Sequence, residues 1–155
     1  MEDAGVPNVL IAEDDVMIAD MIEELLCSSG YTVCGIARTV AEGIALAKLH
    51  MPDLAIIDLR LADDGLGTEI TAKLDHSWTG VLFATGNIED VLTSTDGDAC
   101  LSKPYLPRDL LRSLDIVRAV RTVGALPAVF PPRLLPLGFY LLQRAEAPDR
   151  ELSGE

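Results

Sequence analysis

Five short apolar runs, each followed by a stretch of different periodicity, constrain this chain more than any other feature. They are Asn8–Ala12, Tyr31–Ala37, Leu54–Asp58, Gly80–Ala84 and Ala99–Ser102. Runs that are apolar throughout, rather than alternating, suit strands covered on both faces, which is how parallel sheets are built. Between them the period changes. In Val16–Ser29 the pairs Met17/Ile18, Met21/Ile22 and Leu25/Leu26 recur at helical spacing, and Gly30 follows as a C-terminal stop. Thr39 and Glu42 form a capping-box pattern for a helix reaching about His50. Gly65–Gly67 is a loop before a helix near Thr68–Asp75, and a short, weakly patterned helix is expected between Ile88 and Thr95. Pro107 suits the first turn of a last helix running to about Arg121. Alternation of this kind predicts an α/β fold, a parallel sheet with helices on both faces.

At 155 residues the chain has room for one domain with a sizeable core, and its 49% hydrophobic and 24% charged residues are an ordinary globular balance. The net charge of −13 disfavours nucleic acid and anionic membrane as partners. Residues 1–102 carry 4 Lys/Arg against 19 Asp/Glu, a balance of −15, whereas residues 103–155 carry 8 against 6, a balance of +2. The acidic part therefore reads as a domain built around something cationic. Cys27, Cys34 and Cys100 form no CxxC pair and sit among apolar neighbours, so buried free thiols in a reducing cytoplasm are expected, not a disulfide framework or zinc site. The Met-Glu-Asp start carries no secretory signal pattern.

Beyond the last helix the sequence changes character. Val123–Leu142 is apolar, but Pro127, Pro131, Pro132, Pro136 and Arg133 argue against a continuous membrane helix. Residues 122–155 are expected to form a proline-rich apolar tail following a domain at 7–121. Three readings of it stay open: a loose tail, a strap over an apolar surface of the same chain, or a contact segment for another chain.

In open parallel sheets, ligands bind beyond the carboxyl ends of the strands. Polar residues stand at those ends here: Glu13-Asp14-Asp15, Asp58, Thr85-Gly86 and Ser102-Lys103-Pro104. Carboxylates converging on one place repel each other unless a cation is present. An all-oxygen set suits a hard divalent ion such as magnesium. A carboxylate can also act as a nucleophile toward phosphorus, with a metal, a lysine and a hydroxyl neutralising the transferred group. Each piece has a plainer reading too. The acidic triplet could simply cap the first helix. Asp58 could close a strand-end turn, and Lys103-Pro104 could be a surface turn with a cis bond. His50 and His76, near helix ends, are given no metal role, and Trp78 is read as packing.

The strings Val-Leu-Ile-Ala-Glu-Asp-Asp, Ala-Ile-Ile-Asp-Leu-Arg-Leu, Leu-Phe-Ala-Thr-Gly and Leu-Ser-Lys-Pro-Tyr occur in that order. Together they resemble the strand-end motifs of response-regulator receiver domains of two-component systems, over roughly residues 7–121. The resemblance implies a flavodoxin-like (CheY-like) fold with five parallel strands in the order 2-1-3-4-5. It implies Asp58 as phosphoacceptor, and Glu13, Asp14, Asp58 and the backbone carbonyl of Arg60 as the magnesium set. Thr85, Gly86 and Lys103 would contact the phosphoryl group, while Asp15 falls just outside the acidic pair. Phe83-Ala84-Thr85-Gly86 further resembles a stand-alone subclass with that stretch, often paired with sensor histidine kinases of the HWE/HisKA2 type.

The implied function is a cytoplasmic, phosphorylated single-domain regulator rather than an enzyme, acting through protein contact or phosphorelay. Its downstream partner would be a protein; no DNA-binding or catalytic output domain fits in the roughly 30 residues that follow. Two departures stand out. Cys100 occupies the position where most receivers carry a switch aromatic, and Thr85–Lys103 is about one helical turn short. Activation is therefore expected to reshape Gly86–Gly97, a polar segment with little apolar surface. The alternatives are a pseudo-receiver that binds partners without phosphorylation, and a small aspartyl-phosphate phosphatase of haloacid-dehalogenase type. The latter needs an acid two residues after the nucleophile, where this chain has Arg60, which cannot act as a general acid.

Overall fold

The computed structural model describes residues 5–75, 78–92, 96–123 and 135–142. In chain order they form β1 (Asn8–Ala12), α1 (Val16–Cys27), β2 (Thr32–Ala37), α2 (Val40–His50), β3 (Leu54–Asp58) and α3 (Gly67–Thr71). There follow β4 (Gly80–Thr85), a 3₁₀ turn (Ile88–Asp90), β5 (Ala99–Ser102), α4 (Pro107–Val123) and β6 (Phe139–Leu141). The sheet order is β2-β1-β3-β4-β5-β6. The first five strands pair in parallel, in the order 2-1-3-4-5 expected from the sequence, and β6 joins antiparallel to β5.

Strand alternation divides the core into two layers. Val9 and Ile11 face one side with Ile56, Leu82 and Leu101, against Ile22 and Leu26 of α1 and Leu110, Leu114 and Val117 of α4. Leu10 and Ala12 face the other, with Ile57, Val81, Phe83 and Cys100, against Ala47 of α2 and Ile70 of α3. β4 is buried along its whole length, as the middle strand of a doubly covered sheet must be. Each fully buried Leu, Ile or Phe stabilises the fold by about 1.5–3 kcal/mol relative to exposure.

Local signals account for the helix ends. Asp15 caps α1, its Oδ1 accepting from the N–H groups of Met17 (3.0 Å) and Ile18 (3.2 Å). The α1 exit turns at Gly30 (φ +94°), and the Tyr31 N–H donates back to Leu26 O at 3.1 Å. Thr39 Oγ1 accepts from Glu42 N–H, and Glu42 reaches back one residue further than the usual box, to the Arg38 N–H at 2.7 Å. α3 ends earlier than its pattern suggests. Lys73 and Leu74 bond three residues back, to Ile70 O and Thr71 O, so its last turn tightens out of α-geometry. The helix expected over Ile88–Thr95 is a 3₁₀ turn at Ile88–Asp90, and residues 93–95, like His76, lie outside the described set.

Residues 135–142 add to the sheet. The Phe139 side chain is 8% exposed and belongs to the α1/α4 core layer, against which Leu135 packs. No described helix is long and apolar enough to cross a membrane.

α3 lies hard against β3. A Cβ at Gly67 would come within 2.3 Å of the Asp58 carbonyl oxygen and 2.5 Å of Ile57 Cγ2, and a backbone atom cannot step aside as a side-chain end can. Gly67→Ala should therefore lower unfolding free energy by about 1–3 kcal/mol in urea melts, the usual cost of overpacking. Gly86→Ala, where nothing lies within 4 Å, should leave stability within about 0.5 kcal/mol of the parent.

Candidate functional site

The carboxyl ends of β1, β3 and β5 bring together the acidic and basic residues singled out in the sequence. Lys103, just past β5, donates from Nζ to Asp58 Oδ2 at 3.0 Å and to Glu13 Oε1 at 3.4 Å. Glu13, Asp14 and Asp58 each offer a carboxylate oxygen, all within 4.8 Å of one another. Glu13 and Asp58 side chains are only 5% and 13% exposed, so solvent does little to screen them. Asp15 stands apart from this cluster because its carboxylate caps α1.

The electrostatics follow from burial and crowding. Burial pushes the Glu13 carboxyl up to about 7, and the charge of Asp58 adds to that. The Asp15 N–H, which donates to Glu13 Oε2 at 3.1 Å, and the ammonium of Lys103 work the other way. Burial works against the charge of Lys103, but the hydrogen bond and charge of Asp58, then those of Glu13, outweigh it and raise its pKa. The result is a lysine held firmly protonated between two acids.

Thr85 ends β4, beside β3 and β5: Ala84 is the register partner of Asp58 and Thr85 that of Ser102. Its hydroxyl accepts from the Asn87 N–H at 3.0 Å, turned toward its own loop, while its carbonyl accepts from the Lys103 N–H at 2.8 Å. Gly86 is exposed. The Lys103–Pro104 bond is cis. Arg60 turns its side chain, 73% exposed, outward to Asp90 at 3.4 Å. Cys100 is fully buried, and burial alone pushes its thiol up to about 11, which keeps it neutral and packed as a small apolar group.

The segment expected to be loosely held is anchored at both described ends. Val91 is fully buried, and a Cβ at Gly97 would stand 2.5 Å from the Phe83 ring. Composition undervalued these contacts because a single Val and a Gly carry them. Three partners went unread in the sequence. Tyr105 packs against the α1/α4 layer beside the site, and Asp90 meets Arg60. Gly138, in the turn before β6, accepts through its carbonyl from the Ser102 N–H at 2.9 Å. Two had a signal: Tyr105 ends the Leu-Ser-Lys-Pro-Tyr string, and Pro136-Leu137-Gly138 is turn-forming.

Residues 9–115 match the response regulator receiver domain family model. The chain is a member of that family. PdtaR, a transcriptional regulatory protein of Mycobacterium tuberculosis, is 33% identical over 80% of this chain and 63% of its own length. A CheY-like receiver domain from Methanospirillum hungatei is 30% identical, superposing with a TM-score of 0.69 over 78% of this chain and all of that one. The anti-anti-sigma factor PhyR of Bartonella quintana is 29% identical, with a TM-score of 0.62 over 79% of this chain and 50% of its own. The receiver spans less than two thirds of the curated relatives it matches first.

The site fits a magnesium ion. Its donors are hard carboxylate oxygens close enough to share one small cation, with partial exposure at Asp14 for the waters magnesium retains. A cation there also offsets the burial and, after it, the Asp58 charge that raise Glu13. Millimolar magnesium should raise the melting temperature. A ligand at a hundred times its Kd stabilises by about 2.7 kcal/mol. Asp14→Ala, which removes a carboxylate at the open side of the cluster, should abolish the difference between melts with and without the ion.

Proposed function

We propose that this receiver accepts a phosphoryl group on Asp58 from a sensor histidine kinase and signals through protein contact or phosphorelay. The observation that carries this reading is Lys103 Nζ at 3.0 Å from Asp58, inside the cluster with Glu13 and Asp14. An Asp58 oxygen attacks phosphorus, an O–P bond forms as the N–P bond of phosphohistidine breaks, and the electron pair leaves on the imidazole nitrogen. Glu13, Asp14, Asp58 and the Arg60 carbonyl would hold a magnesium ion, which would supply charge neutralisation. Lys103 stays with the growing negative charge as a fixed cation. Thr85 gives up its bond to the Asn87 loop to donate its hydroxyl to the phosphoryl oxygens, beside the open backbone of Gly86.

The Phe83–Gly86 stretch supports membership in the stand-alone subclass and a kinase of HWE/HisKA2 type. Relatives described as transcriptional regulators and as an anti-anti-sigma factor support a protein as downstream partner. A phosphatase is disfavoured because Arg60 stands where a general acid would be needed and turns away to Asp90. A pseudo-receiver is disfavoured because acid pair, acceptor, hydroxyl and lysine are all present.

Asp58→Asn should eliminate hydroxylamine-labile phosphorylation by acetyl phosphate, whereas Asp63→Asn and Asp64→Asn should retain it. Label persisting on Asp58→Asn would overturn the assignment. Lys103→Ala should differ in kind: labelling survives in part, but the structural response to it weakens, because the cation that reads the new charge is gone.

A further inference from the structure

β6 is attached to the sheet one residue away from Lys103. Its entry turn is closed by the Phe139 N–H to Pro136 O at 3.2 Å, with Gly138 at φ +78°, the third-position geometry of a type II turn. That turn sits on Ser102. The Ser102 N–H donates to Gly138 O at 2.9 Å, and a Cβ at Gly138 would lie 3.1 Å from Ser102 Cβ. The far end of β6 is held by the Leu142 N–H to Asp98 O at 2.8 Å. Between these ends stand three register pairs and one well-buried ring, Phe139. So short a strand opens at low cost relative to the five behind it.

The sheet order fixes the direction of any pull. β3 and β1, which carry Asp58 and Glu13, lie on the inner side of β5, and β6 lies on its outer side. Ser102 and Lys103 are therefore tied in opposite directions: the Lys103 side chain inward to Asp58 and Glu13, the Ser102 N–H outward to Gly138. An acyl phosphate carries about two negative charges where the carboxylate it replaces carried one, so phosphorylation adds about one negative charge, on oxygens that reach further from the strand. Placed on Asp58, it strengthens the inward tie alone.

We infer that β6 is a strap latched to the acceptor site through Ser102 and Gly138, loosened when negative charge is added at Asp58. The inference rests on Asp58 being the acceptor. It places a structural response at the β5 edge, beyond the release of the Asn87 turn, and makes residues 135–142 part of the switch.

Residue-resolved amide exchange on the full chain, with magnesium alone and with magnesium plus beryllofluoride, tests it. Binding of beryllofluoride is read separately from its fluorine resonance. The Ser102 and Leu142 amides should exchange severalfold faster with beryllofluoride bound. Gly138→Val strains the positive φ and crowds Ser102. It should bind beryllofluoride as the parent does, yet show fast exchange at both amides in either condition. Gly138→Asn, which tolerates that φ and lacks the β-branch, should shift exchange at both amides back toward the parent, leaving only the Cβ contact with Ser102. If Gly138→Val does not fold, Phe139→Ala, which removes the buried anchor, serves the same comparison. Beryllofluoride bound to the parent with Ser102 and Leu142 unchanged, or change confined to Gly86–Leu92, would overturn the strap and leave the acceptor assignment standing. No beryllofluoride binding at all would overturn both.

Discussion

Three carboxylates at the ends of β1 and β3 are forced together by a fold that gives them no other place to go. Asp58 ends an otherwise buried strand, and Glu13 follows another. At separations under 4.8 Å, and with Glu13 and Asp58 largely shielded from water, their mutual repulsion calls for a cation beside them. Lys103 supplies one from β5, on the far side of β4 from Asp58. Much of the site's geometry follows from that requirement. The lysine must reach across, so β5 must end level with β3, and the Lys103 N–H bond to Thr85 O holds that level. Lys103, Glu13 and Asp58 thus form one balanced group of charges, so that any further charge placed at this rim would change what each of them experiences.

Topology makes such a site possible. Parallel strands point their carboxyl ends the same way, so residues distant in sequence meet at one rim. The apolar strands are the condition for this. With helices over both faces, β1, β3 and β4 contain almost no polar side chain until their last residues. Chemistry is thereby confined to the rim, where backbone and side chains regain access to solvent.

That confinement also explains how much of the protein was legible in its sequence. Continuous apolar runs located β1, β3 and β5 to the residue, because a strand buried on both faces leaves no ambiguity of phase. The rim residues could be read because acids and a lysine next to such runs have few structural uses. Helix ends were less legible where they depend on tertiary contacts. α3 stops at Thr71 although its pattern runs on, and nothing local marks the tightening turn. The anchoring of Val91 and Gly97 was hidden for the same reason, since Val91 is buried in the α2/α3 core layer and Gly97 lies against Phe83 across the fold. The tail was hardest. Its prolines and apolar residues fitted three readings, and a three-residue strand carries too little period to be told from loop.

β6 also alters the meaning of Cys100. Register runs Ile57, Phe83, Cys100, Tyr140 across β3 to β6, which puts the four side chains in one row on the same face. In a sheet that ended at β5, a cysteine there would leave the edge of this row thin, with one small thiol next to Phe83. Here an aromatic follows it one strand further out, and Tyr140 remains 46% exposed. The small residue at 100 and the large one at 140 divide between two strands the volume that a single edge residue would otherwise supply. A large ring at Cys100, which is fully buried between Phe83 and Tyr140 in this row, would overpack a space now filled by a small thiol. Cysteine at this position is therefore consistent with the sixth strand rather than a gap in the fifth. The departure from the usual receiver pattern and the added strand are two sides of one packing arrangement.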